Sequence, residues 1–128
     1  MSWSKLNAAE VQAVRMGLHL SIPEAAEWVA GHTNPRSWQR YETGERDVPP
    51  DIDAELYALS QIAEDQFEYL HEQVVAAIAA DRILTLKYYK SIDEWLAENP
   101  DKKSVLWRIY QSVVSRIFRE FGSSVELI

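Results

Sequence analysis

Arg36, Ser37, Gln39 and Arg40 fall within little more than one helical turn, between an Asn34-Pro35 start and the glycine at position 44. These side chains read nucleic acid well. An arginine fork can hold both acceptors of guanine, and a glutamine amide can pair with adenine in the same two-point fashion. A 3.6-residue period turns Arg36, Ser37, Gln39 and Arg40 to one side and Trp38 and Tyr41 to the other. Thr43, in the last turn, and Arg46, past the helix end, extend the set as contacts to DNA. The alternative reading of these residues is the solvated polar face of an ordinary amphipathic helix.

Other chemistry finds less support. Glu68-x-x-His71 has the spacing of carboxylate-bridged two-metal bundles, but those need a second copy of the motif, which is absent. His71-Glu72-Gln73-Val74-Val75 starts like a zinc-protease helix and places valine where the second histidine ligand belongs. We therefore expect no metal, with His19 and His32 isolated and exposed. Four glycines offer little for a phosphate-cradling loop, and no activated serine or dinucleotide motif occurs. Neither enzyme activity nor a cofactor is expected.

The elements that must position the candidate residues follow from caps and periodicity. A first helix is expected over Leu6–Leu20, capped by Asn7 with Glu10 closing a capping box and carrying Val11, Val14 and Leu18 inward. Ser21-Ile22-Pro23-Glu24 is a second capping box and opens a short helix that ends near Gly31. A turn over Ala30–Thr33 leads to the helix at 34–44, and Gly44 is its left-handed stop. Three short helices with tight turns suggest a helix-turn-helix, and Ala26 is small enough to let the third cross the second closely. A loop over Glu45–Pro50 precedes a long helix from Asp51 to about Ala80. Its seam of Leu56, Ala63, Leu70 and Ala77, with Leu59, Phe67 and Val74 between them, suits an antiparallel or dimeric contact.

Ile83–Tyr89 reads as a single strand. Because a lone strand leaves backbone groups unpaired, its partner is expected near Val105 or in a second subunit. A short helix capped at Ser91 and a final helix over about Lys103–Phe121 complete the chain. Tyr88, Tyr89, Trp95 and Trp107 fill the C-terminal core on this reading, with an interface between copies as the alternative.

Bulk composition frames the choice. The chain of 128 residues is 47% hydrophobic with five tryptophans, enough for a packed core, and it lacks cysteine, so disulfides and thiolate metal sites are excluded. Met1-Ser2-Trp3-Ser4-Lys5 is no signal peptide, and charges interrupt every apolar run before it reaches membrane-spanning length, so a soluble cytoplasmic protein is expected. Net charge is −7, and residues 1–60 carry five Lys/Arg against nine Asp/Glu. Nucleic-acid binding then demands a local basic face, because phosphate neutralisation supplies most non-specific affinity.

In detail, Val14-Arg15, Leu20-Ser21, Glu24, Ala26, Trp38, Arg40-Tyr41-Glu42-x-Gly44-x-Arg46 and Pro49 resemble the Cro/C1 repressor pattern, the lambda-repressor-like helix-turn-helix. The whole chain, including Trp107-x-Ile109-Tyr110-Gln111-Ser112-Val113, resembles the YdiL-like group of bacterial proteins, a resemblance that implies the same domain. The resemblance implies an architectural Arg15–Glu42 ion pair between the first and third helices. It also implies a homodimeric DNA-binding transcription regulator, since two-fold symmetry matches paired half-sites.

This chain departs from the repressor pattern at four points. Ile22 replaces a backbone-gripping Gln, Pro35 opens the recognition helix, the preceding turn is about two residues longer, and Glu45 and Asp47 flank Arg46. These departures predict weak or altered DNA binding. The expected architecture is mainly α, a Cro/C1-like domain over 1–60 and a dimerising extension of helices and one short strand over 61–128. The competing reading keeps the helical scaffold as a protein-interaction or self-assembly module without DNA.

Overall fold

A computed structural model describes residues 3–128; Met1 and Ser2, part of the N-terminal stretch read above, lie outside the described residues. The chain is mainly helical and divides into two compact units, residues 1–61 and 62–128. The order is α1 (Ala8–Gly17), α2 (Ile22–Trp28), α3 (Pro35–Thr43), α4 (Pro50–Ala79), β1 (Leu84–Leu86), α5 (Ile92–Glu98), α6 (Val105–Phe121), a 3-10 turn (Gly122–Ser124) and β2 (Val125–Leu127).

In the first unit the helix starts are set by side chains. Asn7 and Ser21 each accept the amide of the residue three further on, and Glu10 and Glu24 reach back to the cap amides, completing both capping boxes. Helix α1 stops three residues short of the expected Leu20. His19 takes a left-handed conformation at φ 62, and the Leu20 amide folds back onto the Arg15 carbonyl. Left-handed Gly31 and His32 build the turn before α3. His32 is exposed, as read from sequence, but lies 3.9 Å from Glu27 rather than isolated, while His19 is half-buried. Helix α4 begins at Pro50, where the missing amide would have had no helical partner. Buried Val11, Leu20, Ala25, Ala26, Trp38, Ile52 and Leu56 make the core of this unit.

In the second unit the α4 seam is used within the chain. Phe67, Leu70 and Val74 form one cluster with Val113, Val114 and Ile117 of α6 and with Leu86 and Val125 of the strands. Arg116 clamps the same two helices, its guanidinium 3.5 Å from the Phe67 ring centre and 3.2 Å from Glu64. The strand expectation needs two corrections. The strand is shorter, Leu84–Leu86, and its partner is β2, parallel to it with Leu84 opposite Val125, rather than the Val105 region or a second subunit. The amide of Tyr88 continues the ladder to the Ile128 carbonyl at 2.9 Å. Parallel pairing fits because α5 and α6 supply the long crossover that it requires. Trp95 and Trp107 are buried, and Tyr88 and Tyr89 half-buried. His71 lies between the Phe67 and Phe121 rings and 3.7 Å from Glu120, while Glu68 is exposed.

Candidate nucleic-acid interface

The orientation of α3 is fixed from behind. Asn34 caps it, its Oδ1 accepting the Ser37 amide at 2.8 Å. Trp38 is fully buried, and an indole removes roughly 150–250 Å² from water, which pins one side of the helix inward. Tyr41 is buried beside it, ring to edge at 5.8 Å.

Below these rings sits a buried polar junction. Arg15 Nε and Nη2 donate to the two carboxylate oxygens of Glu42 at 2.6 and 3.0 Å, with side-chain exposures of 11% and 5%. Such two-point pairing is the strongest geometry available to an arginine and a carboxylate. Trp38 Nε1 donates to the same carboxylate at 2.5 Å, and Arg15 Nη1 donates to the Leu20 carbonyl at 2.9 Å. The Trp38 and Leu20 contacts were not anticipated from sequence, although the four-residue spacing from Trp38 to Glu42 is a readable signal. Together they join α1, the chain leaving it and α3, and they neutralise the negative charge that α3 carries on its inner side.

The outer side of α3 carries the candidate residues. Arg36, Gln39, Thr43 and Arg46 are exposed, and Ser37 and Arg40 are half-buried. Arg36, Gln39, Arg40 and Thr43 line one shallow depression of about 150 Å³. Glu45 lines it too, 3.7 Å from Arg40, so it does not turn away from the cations. The cause is the reversal at Gly44, φ 83, after which the Arg46 amide returns to the Arg40 carbonyl at 3.2 Å. Arg46 itself is not among the residues lining the depression. The Thr43 hydroxyl donates to the Arg40 carbonyl at 3.3 Å, which leaves its oxygen as an acceptor. This face offers two guanidinium forks and one amide in a small area, with one carboxylate competing for Arg40.

Fold and site together define a class: a small, mainly helical protein that presents an arginine-bearing helix anchored from behind by a buried ion pair. The chain belongs to the Aca2/YdiL-like family, whose sequence model matches residues 6–126. It is 34% identical over 111 residues to the Aca2 repressor of Pectobacterium phage ZF40, covering 87% of this chain and 91% of that protein. It is also 26% identical over 113 residues to the protein YdiL of Escherichia coli strain K12, covering 88% and 93%. No described helix is long and apolar enough to cross a membrane.

Proposed function

We propose that this protein is a DNA-binding transcriptional regulator, not an enzyme, that works in the cytoplasm as a homodimer. Residues 1–60 form its helix-turn-helix domain and α3 its recognition helix. Arg36, Ser37, Gln39 and Arg40 face base edges in the major groove, and Thr43 and Arg46 lie beside the backbone. Residues 61–128 supply dimerisation. The α4 seam is consumed inside the chain, so the dimer contact uses other surfaces of this region.

The observation that carries this reading is the division of charge across α3: Glu42 is buried on Arg15 while Arg36, Gln39 and Arg40 share one accessible depression. The repressor relative supports it. One observation favours the alternative, a protein-interaction module that keeps the helical scaffold without DNA: Glu45 shares that depression and draws on Arg40.

Selection of fluorescent genomic fragments by the wild type and by Arg36→Ala/Arg40→Ala decides between them. The regulator reading expects fragments enriched by the wild type and lost with the variant. Absence of enrichment by the wild type at low salt removes direct DNA binding and leaves the protein-interaction module.

A further inference from the structure

A strand has two edges, and β2 occupies only one edge of β1. The Ile128 amide donates to the Leu86 carbonyl at 3.0 Å and the Tyr88 amide to the Ile128 carbonyl at 2.9 Å, so Leu86 and Tyr88 turn their main-chain groups towards β2. In a ladder the alternate residues turn theirs the opposite way. Thr85 and Lys87 therefore present amides and carbonyls at the other edge, where no described strand pairs with them. Both are exposed, and so is Ile83 just before the strand, at 61% although it is large and apolar.

An open edge is a template for another strand, and proteins ordinarily guard it with charge, proline or a bulge. Among Ile83, Thr85 and Lys87 the one charge is the lysine's, and Glu98 meets it at 3.2 Å. The outer edge of β2 is poorer. The Val125 amide already donates to the Gly122 carbonyl, and a self-pairing centred on Glu126 sets two glutamates opposite each other, which is destabilising.

We propose that a second copy of this chain docks on the open edge of β1, the two strands running antiparallel about a two-fold axis at Thr85 and joining the two small sheets into one. This rests on the homodimer reading above and names its surface. A two-fold interface uses the same patch on both copies, which for a strand edge means antiparallel pairing. The register sets Thr85 opposite the second copy's Thr85, a favourable cross-strand pair. Ile83 falls opposite the second copy's Lys87, whose carbon stem covers it. Leu84 falls opposite the second copy's Leu86, and both leucines pack on the core cluster, so the apolar side of the sheet continues across the axis. Strand pairing alone is a small interface. The Arg82 amide, bonded to the Ala77 carbonyl at 2.8 Å, holds the start of the strand against the end of α4, where exposed Val75 and Ile78 add apolar surface.

The test uses the full chain, which has no cysteine, so Thr85→Cys carries a single thiol. Residues opposed in a bonded antiparallel pair have Cα atoms about 5.5 Å apart, within disulfide reach. With diamide as oxidant, Thr85→Cys is expected to form a disulfide-linked dimer on a non-reducing gel. Glu126→Cys is also exposed, but it lies one strand further out in each copy, about 14 Å from its counterpart, and should not cross-link. Thr85→Pro removes an amide that faces away from β2, and should weaken dimerisation in sedimentation by at least about tenfold with the helical circular dichroism unchanged. If the wild type is a dimer but the two cysteine variants cross-link equally, or Thr85→Pro dimerises as the wild type does, the β1 edge is overturned and the homodimer reading stands on another surface. A wild type that sediments as a monomer at every concentration overturns both.

Discussion

On the inner side of α3, Glu42 gives its charge to Arg15 and an oxygen to the Trp38 indole, while on the outer side Arg36 and Gln39 stand in solvent and Arg40 meets Glu45 at 3.7 Å. The two ion pairs differ in burial and in geometry, the inner one hydrogen-bonded at two points and the outer one a single approach at 3.7 Å. An exposed pair is worth about 0–1 kcal/mol and exchanges readily for another partner. A buried pair gives little net stability, yet losing one member strands the other. The comparison separates the charges that shape the helix from those free to meet a ligand, a division that a net charge of −7 conceals. Glu10 and Glu24 are similarly engaged at helix caps, and one oxygen of buried Asp53 accepts the Lys5 amide at 2.9 Å.

The largest expected effect tests the inner side. Glu42→Ala should destabilise the protein by about 3–5 kcal/mol in urea unfolding, because Arg15 loses its counter-charge and Trp38 its acceptor. Replacing both charges, Arg15→Met/Glu42→Leu, should recover most of that loss; an equally unstable double variant would contradict the stranded-charge explanation. On the outer side, Arg36→Ala and Arg40→Ala should each remove about 1–3 kcal/mol of DNA affinity. Their unfolding free energy should stay within about 0.5 kcal/mol of wild type, as for surface substitutions generally. A smaller effect is expected from Glu45→Gln. Freeing Arg40 should tighten DNA about threefold at low salt, and the gain should fade as salt screens the face.

The smallest effect lies in the second unit and concerns pH. A native Tyr89 pKa of about 12, above the ordinary value of about 10, means that its contribution to stability is complete below pH 10. That contribution is lost as pH rises through about 12. In an ultraviolet titration of the six tyrosines, Glu98→Gln should make one phenol titrate earlier, since the Glu98 hydrogen bond is the main cause of the shift and its charge adds to it.

Much of the helical frame was legible because local chemistry sets it. Asn7, Ser21 and Asn34 announce helix starts, Gly44 announces a stop, and a 3.6-residue period gives α3 its two sides. What escaped the sequence depends on distant partners. Val125-Glu126-Leu127 is too short to read as a strand until β1, some forty residues earlier, offers it a parallel edge. The α4 seam announced a packing surface without naming α6 as the element that fills it. In the candidate site, the side of α3 bearing the arginines follows from spacing. The place of Glu45 does not, since it depends on how the chain reverses after Gly44.

The central claim is that the outer side of α3 binds DNA, and a salt series on one selected fragment tests it most directly. Each phosphate neutralised contributes a slope of about −0.9 to log affinity against log salt. A steep wild-type slope is expected, and affinity for Arg36→Ala/Arg40→Ala that is weaker at every salt concentration with a shallower slope. Equal affinity and equal slope for the two proteins would contradict binding at the outer side of α3 and place DNA, if bound, elsewhere on the molecule.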